Sequence, residues 1–237
     1  EAELQKLVAG GFSTHFHNIP LLKANNLAIT IGLDKWRTHE LLSQFGLGVA
    51  RTQLFSDVSD WHVPFIVKPR FGRGSKSVQI IKSRTELPAD ISPQASSQWL
   101  CQELLQPFDE EHTCGLFRST SGETRTIILK RKLSNGVTSE GIVCSSEIID
   151  DLLVKLANAI KLIGSVNVQL ILTQAGPKVF EINPRFSSTV MFRHKLGFKD
   201  ALWSLQDLAG QPLSAFKKPS AGTSFFRSSH EILVPPK

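Results

Sequence analysis

The sequence predicts an α+β fold in which antiparallel hairpins mix with helices, not a regular βαβ succession. Three observations lead there. Residues 65–68 and 78–81 are short apolar runs on either side of a glycine-bearing stretch, the pattern of a hairpin with a long loop. Residues 166–172 and 178–182 form a second such pair around Thr173-Gln174-Ala175-Gly176-Pro177. Between the pairs, Ile149, Leu152, Leu153, Leu156, Ile160 and Ile163 recur at the spacing of one helix face.

In chain order, residues 1–33 read as a short helix and loops ending in a small apolar strand at 27–33. Asp34 can N-cap a helix that runs to about Phe45, with Leu41, Leu42 and Phe45 on one side and Gly46 as its stop. A strand at 49–55 follows, then the hairpin, whose loop contains Phe71-Gly72-Arg73-Gly74-Ser75. Residues 82–97 are polar, with Pro88 and Pro93, and suit a short helix or loop. Residues 99–105 read as a strand and hinge, 116–117 and 126–133 as strands, and Asn135-Gly136 as a turn. Ser145 or Ser146 can cap the helix at 147–163, which Gly164 ends. A last helix is expected at about 199–209 and a loop at 217–222.

The chain has 237 residues, enough for one large domain or two small ones. It does not begin with Met and reads as a fragment, or as a protein whose first segment was removed. No apolar stretch approaches the ~20 residues of a membrane-spanning helix, and no signal or lipidation motif is present. Cys101, Cys114 and Cys144 are too scattered for a metal knuckle or disulfide framework, so they are expected to be small buried hydrophobes in a reducing, cytoplasmic setting. The formal charge of +6 and pI near 9.3 suit an anionic partner. Aromatics do not interleave with the basic residues, so neither a nucleic acid nor a membrane is the expected partner.

The chemistry starts at Lys178-Val179-Phe180-Glu181-Ile182-Asn183-Pro184-Arg185. Side chains alternate across a strand, so Glu181 and Asn183 share one face, about 7 Å apart, while Phe180 and Ile182 are expected to face the core. A carboxylate and an amide oxygen are hard ligands that suit Mg²⁺. Pro184 stops the strand and stiffens the turn that carries Arg185, which can fork onto a phosphate. If the five-residue connection closes symmetrically, Gln169 lies opposite Glu181 on the same face. Taken alone, the same pattern describes a solvated strand face.

Lys68 ends an apolar strand just before Pro69 and the loop of Gly72, Gly74 and Ser75. A lysine beside free backbone N–H groups makes a phosphate clamp, though a mobile hairpin loop has the same composition. A Walker A loop and a Rossmann fingerprint both fail here, because a strand and not a helix follows. Gln102-Glu103-Leu104-Leu105 can offer hinge backbone groups to an adenine edge, and Glu110 or Glu111 can take ribose hydroxyls; exposed acids would look the same. Arg125, Lys130 and Arg131 are either ordinary surface charges or an anion-facing row.

In order and character these pieces resemble the ATP-grasp superfamily, in particular its carbamoyl-phosphate-synthase-like branch of ATP-dependent carboxylate ligases. The resemblance runs from about Gly32 to Gly210, through Gly32-Leu33-Asp34-Lys35, Val67-Lys68-Pro69, Gly72-x-Gly74-Ser75, Gln102-Glu103, Glu111-x-Thr113, Val166-Asn167-Val168-Gln169 and Glu181-Ile182-Asn183-Pro184-Arg185-Phe186-Ser187. It implies two α+β subdomains with ATP between their antiparallel sheets. Residues 1–33 would be the tail of a preceding α/β domain, 34–103 the small lid subdomain and 104–237 the large one. Most of that preceding domain would be absent from this chain.

The resemblance implies that Lys35 and Lys68 contact ATP phosphates, with Gly72, Gly74 and Ser75 around them. Gln102, Glu103, Leu104 and Leu105 would face adenine and Glu111 the ribose. Gln169, Glu181 and Asn183 would hold Mg²⁺ (Mn²⁺ as a substitute), Arg185 would face the transferred phosphoryl group, and Arg131 phosphate or substrate. The implied reaction activates a carboxylate as an acyl phosphate for attack by an amine or other nucleophile such as a thiol, with homodimer formation left open. The alternatives are a carbamoyl or carboxy phosphate-forming synthase domain and a non-catalytic nucleotide-binding module. Two departures stand out: Ser77 occupies a position where the family usually has another Gly, and Gly115 one where an acid is common.

Overall fold

The computed structural model describes every residue except 1, 57–60, 73–76, 89–90, 135–136, 229–230 and 237. The expected Gly74, Ser75 and the Asn135-Gly136 turn lie outside the described residues. The chain begins with helix α1 (Ala2–Ala9) and a two-residue hairpin, β1 (His15–Phe16) and β2 (Ile19–Pro20).

Residues 27–33 are not a strand. They form helix α2 (Asn26–Leu33), with Ala28, Ile29, Ile31 and Gly32 buried. The helix is apolar nearly all round, its exposed Leu27 included, so no 3.6-residue period marks it. Gly32 lets it approach the end of the metal-candidate strand: a Cβ there would lie 2.9 Å from Pro184 Cδ and 3.1 Å from Ile182 O.

Asp34 caps α3 (Lys35–Gln44) as expected, accepting from the backbone N–H groups of Trp36 at 3.0 Å and Arg37 at 3.3 Å. Gly46 follows with φ +63°.

A four-stranded antiparallel sheet comes next. It contains β3 (Thr52–Leu54), β4 (Phe65–Pro69), β5 (Gln79–Ile81) and β6 (Trp99–Glu103), ordered β3-β6-β4-β5. Phe65, Val67, Ile81 and Cys101 pack on one face with Trp61, so Ile66, Lys68 and Gln102 point from the other. Residues 82–98 supply two short 3-10 turns.

The larger sheet has β7 (Glu111–Arg118), β8 (Thr124–Ser134), β9 (Val137–Cys144), β10 (Gly164–Thr173), β11 (Gly176–Asn183), β12 (Ser224–Arg227) and β13 (Glu231–Val234). Their order is β11-β10-β7-β8-β9-β12-β13. Helix α4 (Glu147–Ala159) and α2 cover one face, with Leu153, Leu156, Cys114, Leu116, Val166 and Val168 buried between. Helices α5 (Val190–Lys195) and α6 (Asp200–Leu208) cover part of the opposite face through Phe192, Phe198 and Trp203. The uncovered remainder of that face meets the small sheet.

Helix α4 stops short of the expected Ile163, because Lys161 takes φ +45° and Gly164 φ +95°. No disulfide joins the three cysteines; Cys101 and Cys114 are buried and Cys144 half-buried.

The two sheets join along β11. Ala50 N donates to Val179 O at 2.8 Å and Val179 N to Gly48 O at 2.9 Å. Lys178 on the large sheet pairs with Glu103 on the small one at 2.7 Å.

Candidate functional site

Gln169 lies opposite Glu181 as the symmetric hairpin predicts, but by another route. Thr173 pairs with Gly176, a tighter turn that sets the register one residue off. A bulge between Gln169 and Leu170 then restores it, Gln169 facing Glu181 while Leu170 faces Val179. The bulged residue is Phe180. Val179 and Ile182 both reach the core, and Phe180 joins Glu181 in facing the cleft. The expectation that Phe180 points to the core is therefore corrected, because one inserted residue breaks strict alternation.

Between the sheets lies a cleft enclosing about 880 Å³ of empty space, open solvent included. Its walls include Lys35, Lys68, Gln102, Glu103, Glu111 and Glu181. Ile66, Val78, Leu105, Phe108, Ile171 and Phe180 give it an apolar end. That end suits a planar base, and the charged end suits phosphates.

Lys68 is only 6% exposed. Its ammonium donates to Gln102 Oε1 at 2.7 Å and to Phe180 O at 3.4 Å, so the bulge supplies one of its acceptors. Burial pushes the Lys68 ammonium down to about 8, with Glu181 opposing that trend. Lys35 donates to Gly72 O at 2.8 Å and lies 3.7 Å from Glu181 Oε1. Asp34 adds a fork to Arg70, 2.8 Å to Nε and 2.7 Å to Nη2, so the base of the glycine loop is tied to the start of α3. Ser77 has φ +63°, so it keeps the left-handed backbone that glycine adopts most easily.

On the large sheet Gln169, Glu181, Asn183, Glu111 and Arg131 share one face. The Gln169 amide fits its surroundings in two ways. In one it accepts from Asn183 Nδ2 at 3.0 Å and donates to Glu111 Oε1 at 3.3 Å. Turned over, it donates to Glu181 Oε2 at 2.8 Å and accepts from Arg131 Nη2 at 2.9 Å. The second arrangement satisfies Glu181 and Arg131 together, whereas the first sets Gln169 Oε1 against Glu181 Oε2 and Nε2 against Arg131 Nη2. One carboxylate and two side-chain amides standing this close supply hard oxygen ligands, so the residue types of the donor set fit magnesium. Among the described residues no three His, Cys, Asp or Glu side chains converge, so this oxygen set contains amides as well as a carboxylate.

Burial raises the Glu111 carboxyl and Arg131 draws it back; burial lowers the Arg131 guanidinium and Glu111 opposes it. Arg131 also donates to Thr138 Oγ1 at 3.2 Å. Arg185 interacts electrostatically with Arg131 and donates to Phe186 O at 3.1 Å. Glu110 turns away to Lys130, and Arg125 is buried over the Trp203 ring at 4.2 Å; of the three basic residues near this strand, Arg131 alone belongs with the site.

Two expected hinge residues have other partners. Gln102 pairs through its backbone with Thr52 on one side and Ile66 on the other, so its amide edge is committed to the sheet. Glu103 N donates to Arg51 O at 2.9 Å, and its carboxylate accepts from Arg51 N and Lys178. Leu104 and Leu105 remain outside the strand, and of the two Leu105 lines the cleft.

The sequence reading missed the apolar walls and a buried group behind the metal candidates. Asn167 lies opposite Asn183, and its Oδ1 accepts from Thr113 Oγ1 at 2.9 Å and from Arg193 Nη2. Arg193 is fully buried, and its Nη1 would lie 3.1 Å from a Cβ at position 115. Phe198 Cε1 at 2.8 Å, Ile127 Cγ2 at 2.9 Å and the guanidinium together fill the space that an acid at 115 would need. Asn167 was visible in its motif, but Arg193 gave no sign in a short helix.

Comparison with known proteins gives the same architecture. N5-carboxyaminoimidazole ribonucleotide synthetase from Thermus thermophilus is 13% identical with a TM-score of 0.74, covering 95% of this chain and 62% of that one. The N5-carboxyaminoimidazole synthetase of Staphylococcus aureus complexed with ADP is 17% identical with a TM-score of 0.72, covering 89% and 60%. Pyruvate carboxylase of Rhizobium etli is 12% identical with a TM-score of 0.72, covering 94% of this chain and 22% of that one. The chain therefore spans about three fifths of the length of the synthetases it matches. ATP-grasp enzymes bind ATP with Mg²⁺. The ATP-grasp domain model matches residues 33–189, more than half of the chain, and the chain belongs to that family.

Proposed function

We propose that this chain is the nucleotide-binding part of an ATP-dependent ligase that activates a carboxylate as an acyl phosphate for attack by an amine or another nucleophile. One observation supports this most: Lys68 from the small sheet and Glu181 from the large one line a single cleft, with Lys68 Nζ 3.4 Å from Phe180 O, and Gln169 and Asn183 stand next to Glu181 on the same face. In this reading the apolar end takes adenine, Leu105 supplies the hinge backbone, and Lys35 and Lys68 hold the phosphates. Glu181, Gln169 and Asn183 hold magnesium, which when bound offsets charge on the phosphates.

Arg131 and Arg185 stand at the same end and would stabilise charge on the transferred phosphoryl group and its acceptor. The chemistry needs no protein nucleophile. It needs reactants held in line and water kept out, which a cleft closed between two sheets can do. We place the lid at residues 34–103 and the metal-bearing part at 104–237, with residues 1–33 as the end of a preceding unit. The whole protein is expected to act in the cytoplasm on a small carboxylate and an amine or other nucleophile.

The test is phosphate release by the full-length protein with Mg-ATP, across paired pools of carboxylates and amines. Release that requires a carboxylate supports the proposal. Release driven by bicarbonate without any amine would favour a carboxy phosphate-forming domain, and no stimulation by any pool would contradict both.

A further inference from the structure

Gln102 is 3% exposed, and its side chain sits inside a directed chain of hydrogen bonds. Lys68 Nζ donates to Gln102 Oε1 at 2.7 Å. Gln102 Nε2 donates to Thr52 Oγ1 at 2.9 Å, and Thr52 Oγ1 donates to Ala50 O at 2.9 Å. An ammonium only donates, so the glutamine must present its oxygen to Lys68 and its nitrogen to Thr52. The threonine hydroxyl has one proton, committed to Ala50 O, and is left to accept from the amide. Every link therefore has one polarity. The chain ends at Ala50, which is tied to β11 through Ala50 N and Val179 O at 2.8 Å.

We propose that Gln102 is the positioning residue of Lys68: it aims the ammonium into the cleft with a neutral acceptor, so that the full charge is left for the phosphates of a bound nucleotide. The inference rests on the reading that Lys68 meets those phosphates. A carboxylate at 102 would hold the lysine equally well but would offset its charge. Of the nearby carboxylates, Glu181 acts on Lys68 only through its charge and lies 3.7 Å from Lys35, and Glu103 is engaged by Arg51 N at 2.8 Å and Lys178 Nζ at 2.7 Å. The second acceptor on Lys68, Phe180 O, is also neutral. Burial makes the charge costly in the cleft, Glu181 offsets part of that cost, and the rest is recovered when a polyanion enters.

The experiment is calorimetric titration of the full-length protein with Mg-ATP and separately with adenosine. The proteins are wild type, Gln102→Glu, Gln102→Met and Thr52→Val, with thermal denaturation of each to confirm folding. Gln102→Glu is expected to weaken Mg-ATP by roughly tenfold or more while adenosine affinity stays within about twofold of wild type. Gln102→Met should show the same contrast, and Thr52→Val a smaller loss of about threefold in the same direction. Equal losses for ATP and adenosine would reduce Gln102 to a packing role and overturn the inference. So would Mg-ATP affinities unchanged in both Gln102 variants. A wild-type protein that binds no Mg-ATP would instead remove the functional reading beneath it.

Discussion

Replacing Lys68 by Met removes the ammonium and leaves an unbranched apolar stem in its place. Lys68 is 6% exposed and its ammonium is lowered from 10.5 to about 8, so holding the charge there costs roughly 3 kcal/mol. Against that relief, the substitution strands Gln102 Oε1, a buried acceptor now bonded at 2.7 Å, at about 1–3 kcal/mol. The two effects are similar in size, so stability at pH 7 is expected to change by no more than about 2 kcal/mol. The folded-state value is the depressed one. The burial cost is thus fully present below about 8 and disappears as pH rises toward 10.5. Across that window the wild type gains on the Met variant.

Mg-ATP binding should weaken about 10- to 100-fold, the loss of a charge-assisted contact to phosphate. Urea denaturation at neutral and alkaline pH, paired with calorimetric titration of Mg-ATP, measures both effects. A Met variant destabilised by more than about 3 kcal/mol at pH 7, or one that binds Mg-ATP like wild type, would refute the reasoning.

Further outcomes follow from the same geometry. Mg-ATP affinity of the wild type should fall roughly tenfold between pH 7 and pH 9 as Lys68 deprotonates, and a flat profile would exclude a charged Lys68 from binding. Gly48→Ala places a Cβ 2.0 Å from Pro177 O, so the backbone joining the two sheets must shift; a loss of about 2–3 kcal/mol in urea denaturation is expected. Arg70→Met leaves the 5% exposed Asp34 without its fork and should cost about 1–3 kcal/mol. Arg70→Lys should recover only part of that, since a lysine cannot make both bonds in the same plane.

How far the sequence could be read depended on how much each element is exposed to water. Helix α4 shows water one face only, so its apolar residues repeat at helical spacing and its place was plain. Helix α2 is apolar on its exposed side as well, at Leu27, and an apolar run of that length without a period reads equally as a strand. Strand β7 was seen only at Leu116 and Phe117. Its first half presents Glu111 to the cleft and buries Thr113 against Asn167, which interrupts any apolar alternation.

The polar residues of the cleft were recoverable because each motif is local: Lys68 ends one strand, and Glu181 and Asn183 end another. What joins them is not local. The bulge at Phe180 depends on the register of a whole hairpin, and the Gln102–Thr52 link spans 50 residues of sequence. Arg193 is a single basic residue in a six-residue helix, and only packing reveals that it lies over Gly115.

Magnesium-dependent nucleotide binding across the cleft is the property on which the other roles depend. Calorimetric titration of the full-length protein with ATP, with and without Mg²⁺, should show binding that needs the metal and that Glu181→Ala and Lys68→Ala each weaken by about tenfold or more. Undiminished Mg-ATP binding in both variants would contradict it.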